Sequence, residues 1–309
     1  MKDIFDTNTY SPISKINTVL LDRLRVSLSV KREDLLHPTI SGNKWRKLKY
    51  NLKDALSNGV DTIVTFGGAF SNHIYSTAAA CQKLGLKSVG IIRGDYDKNN
   101  PTTKFAKKCG MELRFVDRTS YREKENGESI KAILSEYSNY ILIPEGGSND
   151  LAKKGLHELS NEINNSYYNI IMVSAGTGST ATGILQNLIS GKELWVFSSL
   201  KSDHLQNEIL SKTDPSKHSQ LKFISSYHFG GYGKTSSKLI SFINDFKAQT
   251  HISIDPIYNG KLLSGFSDMA DRGKVNNKHS YLWIHTGGLQ GIDAYNYLAE
   301  KKQWPKIDI

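Results

Sequence analysis

The 309 residues predict an α/β protein built on largely parallel, twisted sheets with helices on both faces, and three observations carry that reading. Short apolar runs alternate with longer helical patterns along the whole chain. No repeat or low-complexity tract interrupts them. Glycine-rich turns recur directly after apolar runs, where an open parallel sheet places its ligand loops. At 34.5 kDa and 38% hydrophobic the chain can bury one large core or two linked ones, so a two-lobed molecule is expected.

The elements follow in order. Residues 26–30 read as a strand, and a helix begins at about 43. In it Trp45, Leu48, Leu52 and Leu56 recur at three- and four-residue steps on one face, Gly42 frees the turn, and Asn43 is the expected N-cap. Strand patterns at 62–66, 88–92, 112–116 and 140–143 are each followed by a helical one, at about 72–84, 102–108, 128–137 and 151–163. The run at 170–173 leads to a helix at about 180–189. Runs at 194–197, 221–224 and 281–284 continue the series, with helices between and after them.

Composition narrows the function classes. The net charge is +10, yet the lysines are spread along the chain rather than gathered in an arm or stripe, which argues against nucleic acid. No stretch approaches the roughly 20 apolar residues that a bilayer requires, and the first 16 residues lack a basic-then-apolar signal pattern. Cys81 and Cys109, the only cysteines, lie in helix-like segments without metal-ligand spacing. A reducing, cytoplasmic setting is expected, with neither a disulfide nor a metal.

Chemistry concentrates in the turns. Ser41-Gly42-Asn43-Lys44-Trp45-Arg46-Lys47-Leu48 places Lys44 in the first turn of a helix, where the helix dipole and neighbouring cations disfavour its protonated form. Lys47 lies one turn on, facing the same way. Such a pair can link an aldehyde and neutralise a phosphate, or can simply be two solvated lysines on a basic helix. Gly67-Gly68-Ala69-Phe70-Ser71-Asn72-His73 opens the helix after 62–66, and its first N–H groups suit a carboxylate. Gly176-Thr177-Gly178-Ser179-Thr180 follows 170–173. Its small residues, hydroxyls and helix start form a phosphate cup, but it lacks the Lys-Ser/Thr ending of a nucleotide loop. A monophosphate on a ring, with Lys44 free to form an imine, points to pyridoxal 5'-phosphate.

With Gly230-Gly231-Tyr232-Gly233-Lys234, Asp255-Pro256-Ile257-Tyr258-Asn259-Gly260-Lys261 and His285-Thr286-Gly287-Gly288, these motifs stand in the order seen in the 1-aminocyclopropane-1-carboxylate deaminase and D-cysteine desulfhydrase family. The chain resembles that family from about Pro12 to Tyr295. The resemblance implies a two-domain, fold-type-II enzyme related to the tryptophan synthase β chain, with pyridoxal phosphate as cofactor. It implies a smaller domain, assigned to 48–156, inserted in a larger one formed by 1–47 and 157–309. A cofactor cleft, with Ser71 and Asn72 reaching in from the small side, and a homodimer are further expectations.

By the same resemblance, Lys44 matches the lysine that holds the cofactor as an imine, and Lys47 one near the phosphate. Asn72 matches the asparagine beside the cofactor's 3-hydroxyl, Ser71 the serine near the substrate carboxylate and reacting carbon, and Gly176, Thr177, Gly178, Ser179 and Thr180 the phosphate loop. Tyr232 and Tyr258 match two active-site tyrosines. Two cofactor-side positions depart from the deaminase pattern. Asn259 stands where deaminases carry a glutamate near the pyridine nitrogen, and Thr286 replaces a leucine, as in desulfhydrase-like members. Asn259 also differs from the desulfhydrases' threonine. The expected activity is β-elimination from a small amino acid, with D-cysteine the leading substrate. Ring opening of 1-aminocyclopropane-1-carboxylate is the alternative, and a pyridoxal phosphate-binding protein with little catalysis is an alternative of another class.

Overall fold

The computed structural model describes residues 4–5, 10–95, 97–202 and 204–309. Its strands are β1 (Ile13–Ile16), β2 (Ser27–Lys31), β3 (Thr62–Gly68), β4 (Lys87–Arg93), β5 (Glu112–Val116), β6 (Tyr140–Ile143), β7 (Ile170–Ala175), β8 (Glu193–Ser198), β9 (Leu221–Ile224) and β10 (Ser280–Ile284). The helices are α1 (Val19–Leu24), α2 (Asn43–Ser57), α3 (Asn72–Leu84), α4 (Pro101–Lys108), α5 (Arg118–Glu123), α6 (Glu128–Leu134), α7 (Asp150–Asn164), α8 (Ser179–Asn187), α9 (His204–Ser211), α10 (Ser237–Thr250), α11 (Asn259–Asp271) and α12 (Gln290–Lys302). Contacts divide the chain into two units. One comprises 37–155 with Ile4 and Phe5; the other comprises 10–36 and 156–309. Residues 37–47, ahead of the boundary expected at 48, belong to the first.

In the first unit four parallel strands are ordered β5-β4-β3-β6. Val64, Phe66, Val89 and Ile91 bury one face against Tyr121, Ile130 and Leu134 of α5 and α6. On the opposite face α3 presses so closely that a Cβ on Gly90 would lie 2.9 Å from Met111 Sδ and 3.3 Å from Ile74 Cδ1. Cys81 and Cys109 are buried free thiols. In α2 the buried stripe is Trp45, Leu48, Leu52 and Ala55, whereas Leu56 is 40% exposed. The stripe therefore advances by three residues at its end instead of four. The helix begins at Asn43, not after it. Gly42 is the N-cap, at φ 65° and ψ −143°, and no side chain caps that end.

In the second unit the order is β1-β2-β10-β7-β8-β9, with only β1 antiparallel to its neighbour. Strand β7 is buried throughout, which explains its continuous apolar run. Ile170 and Met172 pack with Phe266 and Trp283 on one face. Ile171, Val173 and Ala175 pack with Ala181, Ile184 and Leu185 of α8 on the other. No helix among the described residues is long and apolar enough to cross a membrane.

Candidate active site

The first unit gathers Lys44, Lys47, Ser71 and Asn72 around three elements that pack pairwise: the starts of α2 and α3 and the 3-10 turn Glu145–Gly147. Lys44 Nζ donates to the Gly146 carbonyl at 3.2 Å and Lys47 Nζ to the same oxygen at 3.3 Å. The two lysines thus face one way, as their spacing requires. Burial lowers the Lys44 ammonium to about 8, opposed by the Glu145 carboxylate. The cause is lost hydration more than the expected dipole and cations. Lys47 is held well below its ordinary range, first by burial and then by the charge of Lys44.

Ser71 is the N-cap of α3. Its Oγ accepts the N–H groups of His73 at 3.2 Å and Ile74 at 3.3 Å, which leaves the hydroxyl proton to donate. Gly67 makes room for this turn, because a Cβ there would lie 2.8 Å from Ser71 Oγ. Asn72, the first residue of α3, is partly buried beside it.

The second unit holds the other expected residues. Strands β7 and β10 are parallel neighbours, so the Gly176–Thr180 loop and the His285–Gly288 turn leave the same edge of the sheet. Helix α8 starts at Ser179 after Gly178, whose φ of 74° suits only a residue without a side chain to strain. The Tyr258 ring packs on this loop. A Cβ on Gly176 would meet its Cε1 at 2.9 Å and Oη at 3.1 Å. Tyr232 lies edge-on to Tyr258, their rings 6.2 Å apart, and is 51% exposed.

Asn259 is committed to protein partners. Its Nδ2 donates to Asp255 Oδ1 at 2.8 Å and to the Gly287 carbonyl at 3.1 Å. Its Oδ1 accepts from Trp283 Nε1 at 3.1 Å and from the Thr286 N–H and hydroxyl, both at 3.4 Å. Both amide protons are used, and the Thr286 hydroxyl proton is directed at the same amide's oxygen. Asp255 anchors the corner by accepting the N–H groups of Ile257, Tyr258 and Asn259. Burial raises its pKa, against the pull of these bonds.

Several site residues escaped the sequence reading. Gly146 and Gly147 were a further glycine turn after a strand, the signal used elsewhere. Lys261, buried one turn beyond Tyr258, donates to the His228 carbonyl at 2.9 Å and that of Gly231 at 2.8 Å, and so pins the turn that carries Tyr232. Ser174 and Ser199, at the ends of β7 and β8, have buried hydroxyls without hydrogen-bond partners among the described residues. Nothing in the sequence marked Ser199.

The family described as pyridoxal-phosphate dependent enzyme matches residues 5–287. A putative 1-aminocyclopropane-1-carboxylate deaminase of Pyrococcus abyssi is 32% identical over 292 residues, covering 88% of this chain and 87% of its own. A D-cysteine desulfhydrase of Yersinia pestis (strain Pestoides F) is 29% identical over 311 residues, covering 93% of both. Among solved structures, one described as an ACC deaminase homologue superposes with a TM-score of 0.79 at 27% identity, covering 95% of this chain and 92% of that one.

Proposed function

Because the chain belongs to the family of pyridoxal-phosphate dependent enzymes, with pyridoxal 5'-phosphate as its cofactor, we propose that it is a lyase of the D-cysteine desulfhydrase type. It would take D-cysteine and water to pyruvate, hydrogen sulfide and ammonia. The residues present suit the cofactor. Lys44 offers an amine with a lowered pKa, the Gly176–Thr180 cradle has no room for a Cβ beneath Tyr258, and the unpartnered hydroxyls of Ser174 and Ser199 flank it in sequence and sheet order. When bound, pyridoxal phosphate supplies the electron sink for a negative charge developing at the substrate's Cα.

In this reading the protein's own groups divide the work. Lys44 binds the cofactor's aldehyde carbon and afterwards accepts the Cα proton. The helix start at Ser179 and the Lys47 cation serve the phosphate. Ser71, its lone pairs occupied by the α3 cap, donates its proton to the substrate carboxylate and is ill placed to act as a base. Tyr258, steered by Tyr232, protonates the leaving sulfur.

One observation favours elimination over ring opening. The position that carries a carboxylate in deaminases is here an amide tied wholly into the protein, which leaves no carboxylate at that position for the pyridine nitrogen. Without a carboxylate to hold that nitrogen protonated, the ring is a weaker electron sink, which suits a substrate with a good leaving group. The second reading, 1-aminocyclopropane-1-carboxylate deamination, is favoured by the relative at 32% identity. Purified protein saturated with pyridoxal phosphate should release sulfide and pyruvate from D-cysteine, and not from L-cysteine. Release of 2-oxobutanoate from 1-aminocyclopropane-1-carboxylate without sulfide from D-cysteine would replace the first reading by the second.

A further inference from the structure

His73 belongs to the Ser71-Asn72-His73 motif but has no part in the chemistry above. It is 2% exposed, and its Nε2 lies 2.9 Å from Thr65 Oγ1. The Thr65 hydroxyl has a single proton, and that proton goes to the Ile143 carbonyl at 2.7 Å. Thr65 must therefore accept from the ring, which places the imidazole proton on Nε2 and leaves Nδ1 a bare lone pair. That atom is buried and has no hydrogen-bond partner among the described residues.

The unpaired edge of the ring faces a particular place. A Cβ on Gly147 would lie 3.1 Å from His73 Cε1, 3.5 Å from Nδ1 and 3.5 Å from Lys47 Cβ. The preceding carbonyl, Gly146, receives both lysine amines. Among the described residues Lys44 is served there by a long bond to an oxygen that it shares with a second cation. An acceptor without a donor thus borders the same Gly146–Gly147 turn as a donor short of an acceptor.

We propose that His73 is a positioning residue for the reactive amine, its Nδ1 accepting an N–H of Lys44 when that amine swings from the Gly146 carbonyl without being engaged by the cofactor. The role is to accept a hydrogen bond and not the proton. From α2 the charged groups that face His73 are Lys44 and Lys47, from the 3-10 turn Glu145 stands by Lys44, and β3 presents the uncharged Thr65. Burial and the two cations suppress the imidazolium, so proton transfer to the ring runs uphill. The inference rests on Lys44 being the amine that takes the cofactor, and not on the identity of the substrate.

The test uses the full chain freed of cofactor. Trace acetylation by acetic anhydride across a pH series, read at the Lys44 peptide by mass spectrometry, gives the midpoint of that amine. Borohydride trapping of added pyridoxal phosphate identifies the lysine that takes it. A charge-assisted bond to Nδ1 favours the ammonium, so His73→Leu should lower the Lys44 midpoint by about one pH unit, a tenfold change in equilibrium. His73→Gln, whose side-chain oxygen can accept, should recover part of the shift. An equal midpoint in all three proteins overturns the role of His73, whereas trapping at a lysine other than Lys44 overturns the reading it rests on. Nitrogen-15 NMR of the histidines in the native chain decides the matter even where a variant does not fold. A protonated Nε2 and bare Nδ1 are expected at neutral pH, and an Nδ1–H tautomer overturns the proposal.

Discussion

At the scale of single residues the site is governed by what burial does to charged groups. Lys44 has its pKa at about 8 instead of 10.5, so the folded amine is half deprotonated near pH 8. The unfolded chain holds that proton up to its ordinary pKa. Between the two values the folded state binds fewer protons, and the group's contribution to stability rises with pH. Only the free amine attacks an aldehyde, so uptake of pyridoxal phosphate by the cofactor-free protein should accelerate with pH and level off above about 8. Stopped-flow absorbance checks this, and a rate still climbing tenfold per pH unit at pH 9 would contradict the lowered value. The sequence placed both lysines on one side of a helix, because spacing fixes facing. It could not rank burial above the dipole as the cause, because burial depends on the Gly146 carbonyl about a hundred residues away.

At the scale of elements, the legible parts were those with a strong period. Strand β7 was evident as an apolar run because both its faces are covered, whereas β1, with Ser14 and Lys15 among its four residues, gave no alternation clear enough to identify. Polar knots were less legible still. The sequence gives no sign that the Asn259 amide spans Asp255, Trp283 and Gly287, since those partners are set by tertiary placement. Lys261 is another such case. Its ammonium holds a turn in which Phe229, Gly230, Gly231 and Gly233 all have positive φ. Lys261→Met removes two charge-assisted donors and should cost about 2 kcal/mol. It should also speed amide hydrogen exchange through residues 226–234 and lower kcat more than it raises KM. Unaltered exchange in that turn would show that the clamp does not hold it.

At the scale of the whole molecule, two units with separate cores and sheets give unfolding no obligation to be a single transition. A cofactor that binds only the folded chain adds about 2.7 kcal/mol at a hundredfold excess over its Kd. For a protein of this size that raises Tm by roughly 4 °C. Calorimetry with and without pyridoxal phosphate measures the shift, and an equal Tm would mean that the folded protein does not hold the cofactor. The Asn259 knot also limits what one substitution can do. A glutamate placed there alone would gain a carboxylate but forfeit both amide donors, leave the Gly287 carbonyl unpaired and set a negative charge against Asp255. A change of side chain at this position is therefore coupled to its neighbours. What that exchange costs is therefore set by three neighbours, Asp255, Trp283 and Thr286, and not by position 259 alone.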